Sequence, residues 1–150
     1  MYQNVLVPVD GSDVCLAAVS CALNASGPGG RITLIAVVDT VSQVMHMGSA
    51  AAVPEITQSV LDAARQTAAE DLAAAEAYVA KAGGSVAHTE ILDGRPGDVI
   101  VEYATRGGYD LVAMGTHGRS GLRRGIMGSV AEHVVRHLHG IPVLLIHPAE

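Results

Sequence analysis

Ile32-Thr33-Leu34-Ile35-Ala36-Val37-Val38 is almost wholly apolar, the pattern of a strand covered by helices on both faces, as in the middle of a parallel sheet. The neighbouring segments fit that frame. Upstream, Tyr2-Gln3-Asn4-Val5-Leu6-Val7-Pro8-Val9 reads as a first strand and Asp10-Gly11-Ser12 as the turn after it, with Ser12 suited to cap a helix. Leu16, Val19 and Leu23 then recur at helical spacing until Gly27-Pro28-Gly29-Gly30 ends the helix. Downstream, residues 39–54, with Met45, His46, Met47, Gly48 and an Ala-rich stretch up to Pro54, show no clean period and read as a long, mobile loop. Ile56, Val60, Ala64, Ala68, Leu72, Ala75 and Val79 mark a long amphipathic helix that stops at Gly83-Gly84. Residues 86–92 read as a strand, 97–105 as a helix and 109–114 as another buried strand. Residues 115–128 form a glycine-rich loop, 129–139 a helix with Val130, Val134 and Leu138 inward, and 142–147 a last strand.

This alternation predicts an α/β chain: a single Rossmann-like doubly wound domain over residues 1–150, with helices on both faces of a five-stranded parallel sheet. Parallel crossovers are right-handed, and the expected strand order is 3-2-1-4-5. In that order Asp10, ending strand one, stands beside Gly115, ending strand four, at the switch point where such sheets bind their ligands.

Composition narrows the classes of partner. Apolar residues make up 49% of the chain, yet no run reaches the roughly 18 consecutive apolar residues a membrane helix needs. The N-terminus enters a strand directly, without a basic segment or cleavable apolar stretch, so a soluble, cytoplasmic protein with no membrane partner is expected. Nine basic against fifteen acidic residues give a net charge of −6, which argues against a nucleic-acid partner. Cys15 and Cys21 lie six residues apart in one helix, off the spacing that shares a face, so no disulfide between them is expected. Three of the basic residues, Arg119, Arg123 and Arg124, nevertheless fall within six positions of one another in the glycine-rich loop, concentrating positive charge where an anion could sit.

That loop, Gly115-Thr116-His117-Gly118-Arg119-Ser120-Gly121-Leu122-Arg123-Arg124-Gly125-Ile126-Met127-Gly128-Ser129, carries five glycines between a buried strand and a helix start. Glycine permits positive φ and close approach to a ligand. Successive backbone amides there, with the helix N-terminus after them, suit a phosphate chain, and Ser129 is placed to donate its hydroxyl to it or to cap the helix. The one lysine, Lys81, lies in the long helix, so there is no phosphate loop ending in Gly-Lys. The turn after strand one has only Gly11, and the dinucleotide fingerprint is absent too.

The spacing Gly115-x2-Gly118-x9-Gly128-Ser129 resembles the ATP-binding motif of the universal stress proteins at every specified position. Val5-Leu6-Val7-Pro8-Val9-Asp10-Gly11-Ser12, Ile35-Ala36-Val37-Val38-Asp39, Gly94-Arg95-Pro96 and Ile141-Pro142-Val143-Leu144 look like the same family. The resemblance implies that Asp10 contacts the ribose, that Val37 meets the adenine through its backbone and that Gly115 lines the ribose side. Gly118, Gly128, Ser129 and Val130 would hold the phosphates. Pro8 and Val9 beside Asp10, Met114 beside Gly115 and Arg119 beside Gly118 complete the expected cofactor-binding set. An intact glycine motif assigns the chain to the family's ATP-binding branch, with or without Mg²⁺, and implies a homodimer through the C-terminal strand.

The expected function is thus that of a nucleotide-dependent regulatory protein of the stress response, with little or no hydrolysis and a downstream protein partner that the sequence does not name. The alternatives are a slow Mg²⁺-dependent ATPase using Asp10, and an interaction module holding another adenine nucleotide such as cyclic AMP. The long phosphate loop favours a polyphosphate. His117 reads as a phosphate contact or as a solvated loop histidine. His133 and His137 stand four apart but lack an evident third metal ligand. Cys15, in the first turn of a helix, reads as small apolar filler.

Overall fold

The computed structural model describes residues 1–118 and 126–149. Strands β1 (Tyr2–Pro8), β2 (Ser26–Val38), β3 (Val86–Asp93), β4 (Leu111–Gly115) and β5 (Val143–Ile146) make one parallel sheet in the order β3-β2-β1-β4-β5, the order expected from the sequence. Helices α1 (Asp13–Ala25) and α3 (Pro54–Lys81) cover one face, while α4 (Pro96–Arg106) and α5 (Ser129–His137) cover the other. A further helix, α2 (Thr40–Met47), lies between β2 and α3. No helix among the described residues is long and apolar enough to cross a membrane.

Because successive strand residues point to opposite faces, β1 feeds two cores. Val5 and Val7 go to the α1/α3 side and Leu6 to the α4/α5 side, each 0% exposed. In β2, Leu34, Ala36 and Val38 face α1 and α3 whereas Ile35 faces α4 and α5, which is why the strand carries no polar alternation. From α3 come Ala68, Leu72, Ala75 and Val79 at three- and four-residue steps. Burying a side chain of this size is worth about 1.5–3 kcal/mol, and truncating Leu6 to Ala would cost about 2–5 kcal/mol. Asp110 joins β1 to β4: its two carboxylate oxygens accept from the amides of Gln3 (2.8 Å) and Asn4 (2.9 Å), and its own amide donates to the Asn4 carbonyl at 3.0 Å.

Two segments differ from the reading of the sequence. Residues 39–54 are not a long irregular loop: Asp39 caps α2 by accepting from the Ser42 amide at 3.0 Å, and a 3₁₀ turn over Gly48–Ala52 leads to Pro54 at the start of α3. Thr57 ties that turn to α3 by donating to the Ala51 carbonyl at 3.1 Å. The apolar period is missing because Val44 and Met45 of α2 face solvent. Gly27-Pro28-Gly29-Gly30 does end the helix, yet the chain continues through it as the extended first part of β2. The pairing slips there, Tyr2 opposing Ser26 and Asn4 opposing Arg31. A Cβ on Gly30 would stand 2.9 Å from the Gly27 carbonyl oxygen and 3.1 Å from that of Tyr2 in β1, so the close backbone approach there favours a glycine. The remaining elements agree with the sequence to within a few residues at their ends, as helix and strand limits usually do.

Candidate functional site

The chain leaves β1 toward β2 on one side and returns to β4 on the other, so the segments that follow these strands diverge above their carboxyl ends. A cavity of about 650 Å³ lies there, within the range of small-molecule and cofactor sites. Its walls come from Pro8, Val9 and Asp10 after β1, from Val37 of β2, and from Met114 and Gly115 of β4 with Gly118 beyond it. Gly128, Ser129 and Val130 at the start of α5 close the set. Residues far apart in sequence and singled out from it therefore line one cavity. Arg119, with Arg123 and Arg124, lies outside the described residues.

Asp10 holds its turn and also lines the cavity. Its Oδ1 accepts from the Ser12 amide (3.0 Å) and hydroxyl (2.6 Å), fixing the turn, in which Gly11 has φ 79°. Its Oδ2 faces Gly118: a Cβ added there would stand 2.9 Å from that oxygen. Gly115 is equally confined, since its Cβ would meet Val14 Cγ1 at 2.6 Å.

The glycines of the motif are there for close approach and not for positive φ, because Gly115, Gly118 and Gly128 all have ordinary backbone angles. The Gly128 amide donates to the Thr116 carbonyl at 2.7 Å, clamping the two ends of the loop together. Gly128, at φ −63° and ψ 152°, is itself the N-cap of α5, and Ser129 is the first residue of the helix instead of its cap. No side chain among the described residues caps α5. The same is true of α3 and α4, whereas α1 has Ser12 and α2 has Asp39 as caps. The first-turn amides of α5 thus stand at the cavity without a side-chain acceptor, an arrangement that favours an anion through both hydrogen bonds and the helix dipole.

Other lining residues were not singled out from the sequence. Asp39, Ser42, Gln43 and His46 belong to the α2 segment, and Pro96 and Ile100 to α4. The signal that could have found the first four is their spacing of three, four and seven residues from an Asp that follows a strand as Asp10 does. Thr116 is 1% exposed and donates its hydroxyl to the Ile146 carbonyl at 3.2 Å, so its oxygen accepts from His117 Nδ1 at 2.8 Å. His117 is half-buried, and its buried Nε2 has no hydrogen-bond partner among the described residues, which sets aside the solvated-histidine reading.

Cys15 also lines the cavity, at 4% exposure, and burial pushes its thiol above the usual range. Both cysteines are free. His133 pairs with Asp98 at 2.8 Å and stacks on His137 with ring centroids 4.1 Å apart. The described residues contain no group of three metal-ligating side chains.

Comparison with known proteins agrees with this geometry. The family model described as the universal stress protein family matches residues 1–147. A universal stress protein of Methanocaldococcus jannaschii is 35% identical over 147 residues, which cover 97% of this chain and 82% of that one. Among solved structures, the universal stress protein UspA from Lactobacillus plantarum is 30% identical, with 97% of each chain covered and a TM-score of 0.82. A universal stress protein solved in complex with cAMP is 26% identical, with 97% of each chain covered and a TM-score of 0.58. This chain belongs to the universal stress protein family.

Proposed function

We propose that the chain is an ATP-binding regulatory protein: the cavity above β1, β2 and β4 holds ATP, and the occupied state is read by a protein partner. The observation that carries this reading is the uncapped start of α5 at the cavity, beside Gly118 and Gly128. Backbone amides, a helix dipole and glycines without side chains are the means by which a protein holds a phosphate chain. In this reading Gly118, Gly128, Ser129 and Val130 hold the phosphates, with Arg119 adding charge. Asp10, Gly115, Pro8, Val9 and Met114 lie against the ribose, and the backbone of Val37 meets the base. A Mg²⁺ ion arriving with ATP would be held through water by Asp10, whose Oδ1 alone is engaged by Ser12; it would neutralise phosphate charge.

Turnover is expected to be slow. Phosphoryl transfer needs a base or nucleophile positioned at the reacting phosphate. Asp10 is committed in part to its turn, and His117 presents Nδ1 to Thr116 and keeps Nε2 buried. A cyclic adenine nucleotide is the second reading, supported by the likeness to a universal stress protein in complex with cAMP; the long glycine loop and the open helix end favour a polyphosphate over it. Mass spectrometry of the nucleotide released on denaturing the purified protein tests the choice. ATP is expected, and cyclic AMP alone would overturn the preference for a polyphosphate.

A further inference from the structure

Helix α3 is 28 residues long, about 42 Å at roughly 1.5 Å per residue, but its fully buried residues, Ala68, Leu72, Ala75 and Val79, all lie in its second half. Nothing in α2, in the 3₁₀ turn over Gly48–Ala52 or in the first half of α3 is fully buried. These three pieces pack on one another. The Val53 amide donates to the Ala50 carbonyl and the Thr57 hydroxyl to the Ala51 carbonyl, each at 3.1 Å. Val41, Met47, Val60 and Leu61 are half-buried there and belong to neither core of the sheet. Residues 40–62 are therefore a folded arm that extends past both cores.

The arm exposes a group of apolar side chains. Val44 is 37% exposed, Met45 75%, Val53 40% and Ile56 45%. Elsewhere among the described residues the large apolar side chains left exposed stand singly, at Met1, Tyr78, Ile91, Ile126, Val135 and Leu144. Single ones are ordinary on a protein surface, and a group of them marks a contact. Val44 and Met45 are neighbours on α2, Val53 and Ile56 stand three apart at the start of α3, and the two helices pack together.

The charge around this group has one sign. Residues 39–62 include the carboxylates of Asp39, Glu55 and Asp62 and neither lysine nor arginine. Asp39 is taken up by its helix cap, and Asp62 by Gln58 at 2.7 Å and Arg65 at 3.5 Å. Glu55 has no ion-pair partner among the described residues. With Pro54, Gln58 and Ser59, Glu55 and Asp62 border a hollow of about 510 Å³ next to Val53 and Ile56 in the chain. An apolar surface with an acidic border is complementary to a segment that is apolar between basic residues. A two-fold contact of arm on arm would instead bring two acidic borders together, and an anionic membrane would repel the same charges.

We propose that residues 40–62 are the docking surface for a protein partner and take an amphipathic helix whose apolar face is flanked by lysines and arginines. Asp39 and Ser42, at the root of the arm, also line the cavity, which puts that partner next to the nucleotide. This link to the cavity rests on the nucleotide reading; the surface itself does not.

The probe is a dye-labelled synthetic helix of leucine and lysine with leucine along one face, titrated into the full chain by fluorescence anisotropy with and without saturating ATP. A scrambled peptide of the same composition controls for charge alone. One helix should bind per chain, and Met45→Gln combined with Ile56→Gln should weaken it by about tenfold while ATP affinity, read by calorimetry, stays at the wild-type value. Glu55→Gln should weaken it less and make binding less sensitive to salt. Met45 and Ile56 are exposed and glutamine is a good helix former, so the double variant should fold, with circular dichroism as the check. The docking surface is overturned if wild type binds no helix in either state, if the scrambled peptide binds as tightly, or if the double variant binds like wild type. A wild-type oligomer that the double variant dissociates, or wild-type binding to phosphatidylserine vesicles that it abolishes, would give the surface to a second copy or a membrane instead. ATP binding that persists through any of these failures leaves the nucleotide reading standing, and helix binding by a protein that binds no ATP removes only the link to the cavity.

Discussion

The carboxylate of Asp10 lies against the backbone of Gly118, so that a Cβ at position 118 would stand 2.9 Å from Oδ2 and meet nothing else within 4 Å among the described residues. A side chain at 118 would thus displace the Asp10 carboxylate and fill the phosphate end of the cavity without touching the core. Gly118→Val should keep a native circular dichroism spectrum and lose ATP affinity by at least tenfold, about 1.4 kcal/mol. Gly128 is different, because its Cβ would meet the Thr116 carbonyl oxygen at 2.8 Å and strain the clamp between β4 and α5. Gly128→Val should cost about 1–3 kcal/mol of stability in a denaturant titration as well as binding. A folded Gly118→Val that binds ATP normally would remove position 118 from the site.

Hydrolysis offers a second test of the same pair of strands. With Mg²⁺ and ATP the protein should release phosphate no faster than about once in several minutes, against a median near 10 per second for enzymes. Asp10→Asn should weaken binding and leave that low rate low. Rapid turnover by wild type that Asp10→Asn abolishes would establish the ATPase alternative.

How far the sequence reveals this arrangement depends on what each segment packs against. Val5 to Val9, Ile32 to Val38 and Leu111 to Met114 are legible as strands because both of their faces are dry, and their order places Asp10 near the glycine loop before any coordinates are known. The glycines and Ser129 could be named from the composition of the loop, and Val37 only through the family resemblance. The α2 helix could not, since none of its residues is fully buried and its half-buried positions, Thr40, Val41, Ser42 and Met47, mix polar with apolar; without a buried stripe there is no apolar period to read. Of the two roles open to Ser129, the cap falls instead to Gly128, whose amide is held by the Thr116 carbonyl, although Ser leads Gly in intrinsic cap preference. In β2, pairing with β1 on either side of the run, Tyr2 with Ser26 and Asn4 with Arg31, and the close approach of Gly30 to Tyr2 override the local tendency of a Gly-Pro-Gly-Gly run to turn.

The two cysteines should differ in reactivity. Burial holds the Cys15 thiol above its usual range, and at 4% exposure a reagent hardly reaches it, while Cys21 is half-buried. Since the thiolate is the nucleophile, titration with a disulfide reagent at pH 8 should modify Cys21 readily and Cys15 only in denaturant. Modification of Cys15 in the folded protein at the rate of a free thiol would contradict the inert, space-filling role.

An assembly prediction follows from β5, which pairs with β4 along one side and ends the sheet. Among the described residues nothing pairs with its other edge, which makes it a template for a second chain, and Leu144 is 36% exposed. We expect a two-fold homodimer joined antiparallel along β5. Ile146 packs on the α1/α3 core, so Leu144→Lys is the cleaner disruption. Light scattering should give a dimer for wild type and a monomer for Leu144→Lys; a variant that stays dimeric would put the interface elsewhere.

The phosphate-holding role of the α5 end is tested most directly by calorimetric titration of the purified protein with ATP, AMP and cyclic AMP under one set of conditions. On the proposed reading, in which the α5 amides and the glycine loop act on the phosphate chain, one ATP should bind per chain, at least about tenfold more tightly than AMP or cyclic AMP. Equal affinities for the three, or no ATP binding at millimolar concentration, would contradict it.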